Sequence, residues 1–204
     1  MMSEELVLIL QRMLAITDTG LVFGSDAFDK ARYAELRDLL AELIEQTALL
    51  DRSEVTALLS PVGHYATPLI DTRALVVNSS DEILLVRDRR DKTWALPGGF
   101  GEVGVSVKEN ILKELKEEAG VEAEVDRLLA VFDSNKHQLQ ATQFFKLCFL
   151  CTSLATEFEP NNEITEVAYF AMDNLPDLST KRITQRQLEI LMKRYKDGGQ
   201  VYLD

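Results

Sequence analysis

The sequence predicts an α/β protein, an α/β/α sandwich preceded by a small all-helical domain, and this prediction rests on three features. The N-terminal part repeats apolar side chains at helical spacing. The remainder alternates short β-branched runs with helical segments, which is typical of a sandwich. The linker PVGHYATP, with two Pro and a Gly, separates the two patterns. We therefore place a helical domain at 1–62 and the sandwich domain at 63–204.

Helices account for the N-terminal domain. The segment from Glu4 to Ile16 is rich in Leu, Ile and Met, and apolar residues recur at helical spacing from Asp26 to Leu50, with Asp26 in an N-cap position. A short helix from Arg52 to Leu59 is predicted to end before Pro61. These helices carry more apolar surface than they can cover among themselves, so we expect a homodimer.

The second domain begins with two short β-branched runs, TRALVVN and EILLVRDR, and the turn Asn78-Ser79-Ser80-Asp81 between them predicts a hairpin. WALPGGF adds a short strand that ends in a Gly pair. A helix follows from Ser106 to Ala119 and ends at Gly120. Further strands and a last helix are predicted at Glu122–Phe132, Gln143–Thr152, Glu166–Ala171 and Thr184–Tyr195.

Composition narrows the function classes. The net charge of −12 argues against a nucleic-acid partner, although bound divalent cations still permit an anionic substrate. No segment approaches the roughly 18 uninterrupted apolar residues of a membrane helix. The N-terminus has two Glu and no basic region, unlike a signal peptide. We expect a cytoplasmic protein with no membrane partner.

The cysteines Cys148 and Cys151 stand in a C-x-x-C pattern inside the apolar run QFFKLCFLCTSL. Residues three apart on a strand point to opposite faces, so the two thiols should not meet. With only two His in the chain, a zinc site also lacks ligands. The pattern predicts two reduced cysteines in the core.

Carboxylates line one edge of the predicted helix from Ser106 to Ala119. A helical wheel gives an apolar stripe with Glu118 inside it and Glu114 and Glu117 beside it; the stripe consists of Val107, Ile111, Leu112, Leu115 and Ala119. Carboxylates removed from water destabilise a fold unless they are neutralised, and a divalent cation would do this. Helix geometry alone leaves a solvated acidic edge equally open.

The segment from Gly98 to Val121, GGFGEVGVSVKENILKELKEEAGV, resembles the Nudix box, G-x5-E-x7-R-E-U-x-E-E-x-G-U with U a bulky apolar residue. Gly99 matches the first Gly, and the stretch from Glu114 to Val121 matches the end of the pattern. Val105 and Lys113 depart from it, because they replace the first Glu and the Arg. These departures alter the support of the loop and leave the Glu cluster intact.

The resemblance implies hydrolysis of a P–O–P linkage by an activated water, with Mg²⁺, or Mn²⁺ in its place, as cofactor. The implied metal ligands are Glu114, Glu117, Glu118 and a backbone carbonyl at Gly98. The general base would be a box Glu or a Glu of the later loop EFEPNNEITEV, where we favour Glu163. A solvated acidic turn is the alternative for that loop.

The N-terminal helices, the motif Gly63 to Pro68, and the segments FDSNKH and LSTKR resemble the Nudix subgroup with a helical N-terminal domain. That subgroup acts on nucleoside diphosphates linked to another group X, of the ADP-ribose or CDP-choline type. Arg73, Lys136 and Arg182 are candidates for holding phosphates. Tyr65 and Phe100 could stack a nucleobase, and His137 could contact substrate. An ordinary structural role remains open for each.

Two other functions compete with this one. A Nudix-fold module that binds ADP-ribose or a nucleotide without cutting it would be expected to lack the metal carboxylates, which are present here. An RNA-directed pyrophosphohydrolase would be expected to show a basic groove, which the charge of −12 disfavours.

Overall fold

The computed structural model describes residues 4–47, 65–140 and 142–204. The chain forms two compact units, Met1–Pro68 with Leu139–Gln143, and Leu69–Gln138 with Phe144–Asp204. The predicted helix at Arg52–Leu59, the residues Gly63 and His64, and the predicted boundary at residue 62 lie outside the described residues.

In residues 4–47, the helical unit forms two antiparallel helices, α1 (Glu4–Phe23) and α2 (Ala27–Thr47). The carboxylate of Asp26 accepts hydrogen bonds from the backbone N–H of Phe28 at 2.8 Å and of Asp29 at 3.1 Å, which confirms Asp26 as the N-cap. Between the helices, Asp18 pairs with Arg37 at 2.8 Å. Four buried aliphatic side chains form the core of the unit, namely Leu10, Leu14, Leu40 and Ile44.

Helix α1 is longer than predicted and strongly apolar. Within the described part of the chain it is the one helix that is long and apolar enough to cross a membrane, with a mean hydropathy of 1.6 over Glu5–Phe23. Arg12 and Asp18 interrupt the apolar runs of this helix, but they lower its mean hydropathy only in part. Only 28% of this stretch is buried inside the chain, so much of its apolar surface is left for another contact. A helix in the core of a soluble protein can have the same length and mean hydropathy.

Two sheets form the second unit. The larger has the order β1-β5-β4-β7, in which β1 and β5 are parallel, β4 and β5 antiparallel, and β4 and β7 parallel. Its strands are Leu69–Leu75 (β1), Val121–Asp133 (β4), Phe144–Thr156 (β5) and Tyr202–Leu203 (β7). The smaller sheet is antiparallel with the order β3-β2-β6, and its strands are Ile83–Asp88 (β2), Trp94–Ala95 (β3) and Ile164–Phe170 (β6).

Helices pack on both sides of these strands. The helix α3 (Val107–Ala119) shares one apolar core with Ala74 and Leu84, and the helix α5 (Gln185–Asp197) shares another with Leu75 and Leu85. A short helix α4 (Ser134–His137) follows β4. Successive strand residues point to opposite faces, so the strands lie between two helical layers, and the predicted α/β/α sandwich is confirmed.

The predicted hairpin between β1 and β2 forms only at its tip. Asn78 and Glu82 close the turn through a backbone hydrogen bond of 3.0 Å, and Val77 makes a single bridge to Ile83. The strands then separate into different sheets, because β1 pairs in parallel with β5 over its whole length. This long-range pairing overrides the local turn pattern.

The cysteines behave as predicted. Cys148 lies in the core beside α5 and Cys151 in the core beside α3, so the two free thiols occupy opposite faces of β5. Burial raises the pKa of each thiol to about 12, which keeps both protonated and unreactive.

Candidate active site

Capping fixes both ends of α3, which carries the predicted metal carboxylates. Ser106 and Glu109 form a capping box at its start, and Gly120 ends it in the left-handed conformation with φ 62°. The faces of the helix are thereby set. Ile111, Leu115 and Ala119 are buried as the wheel predicted, but Val107 is exposed, a correction that follows from its place in the first turn.

Glu118 faces inward against the Gly pair, as the wheel predicted. Its Oε2 accepts a hydrogen bond of 2.7 Å from the backbone N–H of Gly98. Burial raises the pKa of this carboxyl to about 7, although the charge of Arg73 and the Gly98 N–H oppose the shift. The group therefore gives up its proton reluctantly and would gain from a cation.

Glu114 lies one turn earlier, against the next glycine. A Cβ placed on Gly99 would stand only 2.7 Å from Glu114 Oε1, so the glycine is what admits the carboxylate. Gly98 has φ 138°, and a Cβ there would stand 2.0 Å from the Thr72 carbonyl. Burial also raises the pKa of Glu114. Two half-buried carboxylates thus flank the Gly98-Gly99 loop.

Glu117 does not join them. Its side chain is exposed, and its Oε2 lies 3.5 Å from Lys113 Nζ. Across residues 4–47, 65–140 and 142–204, no three His, Cys, Asp or Glu side chains converge on a point where they could hold a metal ion. The expected set of three converging carboxylates is therefore reduced to two, because Glu117 points to solvent near the end of the helix.

Arg73 lies on β1 beneath this loop. Its guanidinium makes two hydrogen bonds to Asp71, at 3.0 and 2.8 Å, and one of 3.1 Å to the Leu96 carbonyl. Burial alone would lower the pKa of Arg73, but Asp71 outweighs it and the net pKa is raised. The charge of Arg73 opposes the effect of burial on the pKa of Glu114 and of Glu118. The predicted phosphate-binding residue is thus buried and already paired with Asp71.

The predicted stacking residues lie in different units. Phe100 follows the Gly pair, is 52% exposed, and packs edge-on against Phe144 at 5.6 Å between ring centroids. Its exposed part leaves room for a second ring. Tyr65 belongs to the helical unit, where its ring is 6.1 Å from that of Phe23.

The three predicted basic residues differ in their exposure and in their partners. Lys136 is exposed on α4. His137 lies 2.8 Å from Asp204 and packs edge-on against Phe132, an arrangement that fits a structural role better than the predicted substrate contact. Arg182 pairs closely with Asp88. Burial alone would raise the pKa of Asp88, but hydrogen bonds from Arg90 and Arg182 lower it to about 2.

The loop predicted to supply a general base runs beside the end of α3. Asn161 donates from its side chain to the Glu117 carbonyl at 2.8 Å. A cavity of about 330 Å³ in this region is bordered by Glu117, Glu157 and Glu159 among others. Glu163 is exposed outside that lining, with its carbonyl accepting from Arg89 N–H at 2.7 Å. Glu157 and Glu159 therefore join Glu163 as candidates.

Sequence reasoning missed several supporting residues. Asn110 is buried in α3, donates to Thr72 Oγ1 at 2.9 Å and accepts from the Glu102 N–H at 3.1 Å. Glu102 Oε1 in turn lies 2.5 Å from Lys113 Nζ, so Lys113 has an acidic partner although Val105 replaces the box Glu. A lone Asn beside the apolar stripe was the available signal for Asn110, whereas nothing local marks Glu102.

The profile of the NUDIX domain matches residues 68–192, and that of the UDP-X-like, N-terminal oligomerisation domain matches residues 4–59. The first match alone covers more than half of the chain. This chain therefore belongs to the Nudix family, and it is a Nudix hydrolase.

Individual relatives cover from about two thirds of this chain to all of it. YjhB of Bacillus subtilis, named as a candidate ADP-ribose pyrophosphatase, is 42% identical over 89% of this chain and 88% of its own. The crystal structure of a UDP-X diphosphatase is 51% identical, covers 100% of both chains and has a TM-score of 0.67. An ADP-ribose pyrophosphatase of Streptococcus suis is 37% identical over 68% of this chain and 100% of its own, with a TM-score of 0.63.

Proposed function

We propose that this chain is a Mg²⁺-dependent pyrophosphohydrolase that cleaves a nucleoside diphosphate linked to a group X. The products are a nucleoside monophosphate and a phosphorylated X. The observation that carries the proposal is that Glu114 lies against Gly99 and Glu118 against Gly98, with Arg73 beneath this loop.

The donor set fits a hard divalent cation. Mg²⁺ is commonly bound through one or two carboxylates, with waters and substrate phosphates completing its shell. Glu114 and Glu118 supply two carboxylates, and we propose the exposed Glu117 of the same helix as a third ligand. The Gly99 carbonyl already accepts from Thr72 N–H at 2.8 Å, which favours the Gly98 carbonyl as the backbone ligand. Mn²⁺ should replace Mg²⁺. When bound, the metal neutralises phosphate charge and lowers the pKa of the attacking water.

The other residues bind and orient. Arg73 offsets the charge of the carboxylates, and Arg182 and Lys136 face the phosphates of the substrate. Phe100 presents its ring to a nucleobase. A Glu of the 157–163 loop, with Glu163 as the predicted residue, takes the proton from the attacking water.

We infer that the nucleotide is a uridine or adenosine diphosphate carrying X. A UDP-X diphosphatase shares 51% identity over both whole chains, and the relatives named for ADP-ribose share 42% and 37%. We therefore rank UDP-sugars first as expected substrates, ADP-ribose second, and CDP-choline third. We further propose a homodimer in the cytoplasm.

A substrate panel tests the proposal. UDP-glucose, ADP-ribose, CDP-choline, NADH and nucleoside triphosphates are incubated with Mg²⁺, Mn²⁺ or EDTA, and nucleoside monophosphate is measured by chromatography. We expect release from at least one diphosphate-X compound, none in EDTA, and little from triphosphates. The variants E117Q and E118Q should lose several kcal/mol of transition-state stabilisation, about a thousandfold in rate. K116Q, on the same helix, is the matched control.

Two results would contradict the proposal. Undiminished hydrolysis by E117Q and E118Q would remove the metal assignment. Binding of ADP-ribose or a UDP-sugar by calorimetry, without any product across the panel, would favour the non-catalytic binding module instead.

A further inference from the structure

Lys146 is a buried cation that the proposed hydrolysis does not use. It lies on β5 opposite Asp71 of β1, and its side chain is 1% exposed. Its ammonium group donates to Gln138 Oε1 at 2.7 Å and to the backbone carbonyl of Arg182. Both acceptors are neutral, so hydrogen bonds rather than an ion pair hold the charge in place.

The surrounding charges do little to stabilise the charged form of Lys146. Asp71 attracts Lys146, but Asp71 already makes two hydrogen bonds to Arg73. Burial lowers the pKa of Lys146 to about 8, Asp71 opposes this shift, and Arg73 adds to it. Two cations therefore share one carboxylate. Such a charge destabilises a fold unless its partners are well placed, and an apolar side chain of similar length would fill the same space.

The bonds of Lys146 join two segments that are distant in sequence. Gln138 follows α4, and its Nε2 donates to the Thr180 carbonyl at 3.0 Å. Lys146 itself reaches the carbonyl of Arg182. Gln138, which directly follows the segment FDSNKH, is thus tied to the segment LSTKR through one ammonium group and one amide.

The second of these segments carries a charge toward the active site. The guanidinium of Arg182 pairs with Asp88 and lies 3.7 Å from Asp91, and its charge acts on Glu118. The Arg182 side chain is 25% exposed, so it remains accessible to a ligand. Its backbone is the point that Lys146 holds.

We propose that Lys146 is a positioning residue for the Arg182 guanidinium. Its ammonium fixes Gln138 and the Arg182 carbonyl, and so sets where the 178–182 segment presents its positive charge to the phosphates of the substrate. The proposal rests on the proposed function only for the identity of the ligand. The link between Lys146 and the segment itself is independent of catalysis.

Kinetics of a double-mutant cycle test this role. K146M should raise KM for the diphosphate-X substrate about tenfold with a smaller change in kcat, and K146R should recover part of the loss. R182M should raise KM similarly, and Asp88 keeps Arg90 as a partner in that variant. If Lys146 acts through Arg182, K146M adds nothing in the R182M background. Losses that multiply in the double variant would overturn the proposal.

Hydrogen exchange gives a readout without activity. The amides of Arg182 and Ile183 bond to the Ser179 carbonyl at 2.7 and 2.8 Å, and K146M should speed their exchange at least tenfold. C151A is the matched control, because Cys151 is a buried residue of the same strand that packs in the core beside α3, on the opposite face of β5 from Cys148. Equal exchange in K146M and C151A would refute the link even if the wild type hydrolyses substrate. An inactive wild type with the exchange difference would refute only the proposed function.

Discussion

At the residue scale, Glu118 shows how the metal site conflicts with the fold that contains it. Its carboxylate is turned inward by the geometry of α3 and accepts one hydrogen bond from Gly98. Burial nevertheless outweighs that bond and the charge of Arg73, and it raises the pKa to about 7. The free protein therefore holds a group that is charged at an energetic cost at neutral pH, and a cation removes that cost.

This conflict predicts a pH dependence of stability in EDTA. The folded pKa of Glu118 lies above its ordinary value of 4.5, so the folded state binds more protons than the unfolded state between these two pH values. The contribution of Glu118 to the free energy of unfolding is therefore fully present below about pH 4.5. It is lost as the pH rises through about 7, and the loss is about 3 kcal/mol at most. E118Q keeps an acceptor for Gly98 N–H, so it should melt several degrees above wild type at pH 8 and close to it at pH 5.

The exposed neighbour Glu117 supplies the control, because E117Q lacks the burial on which the effect depends. Adding Mg²⁺ at pH 8 should raise the melting temperature of wild type more than that of E118Q. If E118Q and E117Q melt alike at both pH values in EDTA, Glu118 does not carry a buried charge.

The positions of some of these residues could be predicted from the sequence, and those of others could not. The inward turn of Glu118 follows from helical spacing alone, which depends only on residues of α3. Glu117 turns to Lys113 and solvent, and spacing alone does not reveal that because a side chain at the edge of the stripe has both options. No sequence pattern singled out Lys146, because the partners of its ammonium group, Gln138 and the Arg182 carbonyl, come from distant segments.

At the scale of elements, the loop before α3 replaces a missing support. The Nudix pattern has a Glu and an Arg at the positions that Val105 and Lys113 occupy here. Glu102, earlier in the loop, places Oε1 2.5 Å from Lys113 Nζ, and Asn110 accepts from the Glu102 N–H. Glu102, three residues before Val105, therefore ties the loop to α3 beside Glu117.

A charge swap tests this support. K113E places a negative charge beside Glu102 and Glu117, so we expect the Mg²⁺ concentration for half-maximal activation to change several-fold. The pair is 40% and 50% exposed, and pairs of this kind contribute about 1 kcal/mol at most. The double variant E102K/K113E should restore the wild-type metal response, which steady-state kinetics over a Mg²⁺ titration would show.

The matched control is the pair Lys116 and Glu122, 3.2 Å apart and exposed at the other end of α3. K116E and the swap K116E/E122K should leave the metal response unchanged. A double swap at Glu102 and Lys113 that recovers nothing would mean that Lys113 acts through Glu117 alone.

The elements themselves were largely predictable, and the exception has a clear cause. Strands β4, β5 and β6 and helices α3 and α5 agree with their sequence patterns to within a few residues. The β1–β2 hairpin was wrong beyond its tip, because a turn pattern does not report that β1 has a better partner in β5. Pairing between distant strands is set by packing that no local window contains.

At the scale of the whole molecule, the helical unit has an apolar face that its own core does not cover. On α1, Ile9, Met13 and Ile16 recur on one side of the helix and are 49%, 36% and 49% exposed. On α2, Leu39 and Leu43 do the same at 56% and 44%. The profile matched by residues 4–59 is described as an oligomerisation domain. A second copy of this chain is therefore the partner we propose for this face.

The last prediction follows from that face. L39D should convert the dimer to a monomer, because a carboxylate in an apolar interface is left unpaired, and the wild type should run as a dimer in light scattering after size exclusion. E45K, a charge change at an exposed position about 120° from Leu39 and about 160° from Leu43 around α2, is the control and should remain dimeric. A wild type that is monomeric at all concentrations tested would contradict the prediction. If L39D is monomeric and melts at a lower temperature that no longer depends on protein concentration, the interface also stabilises the fold.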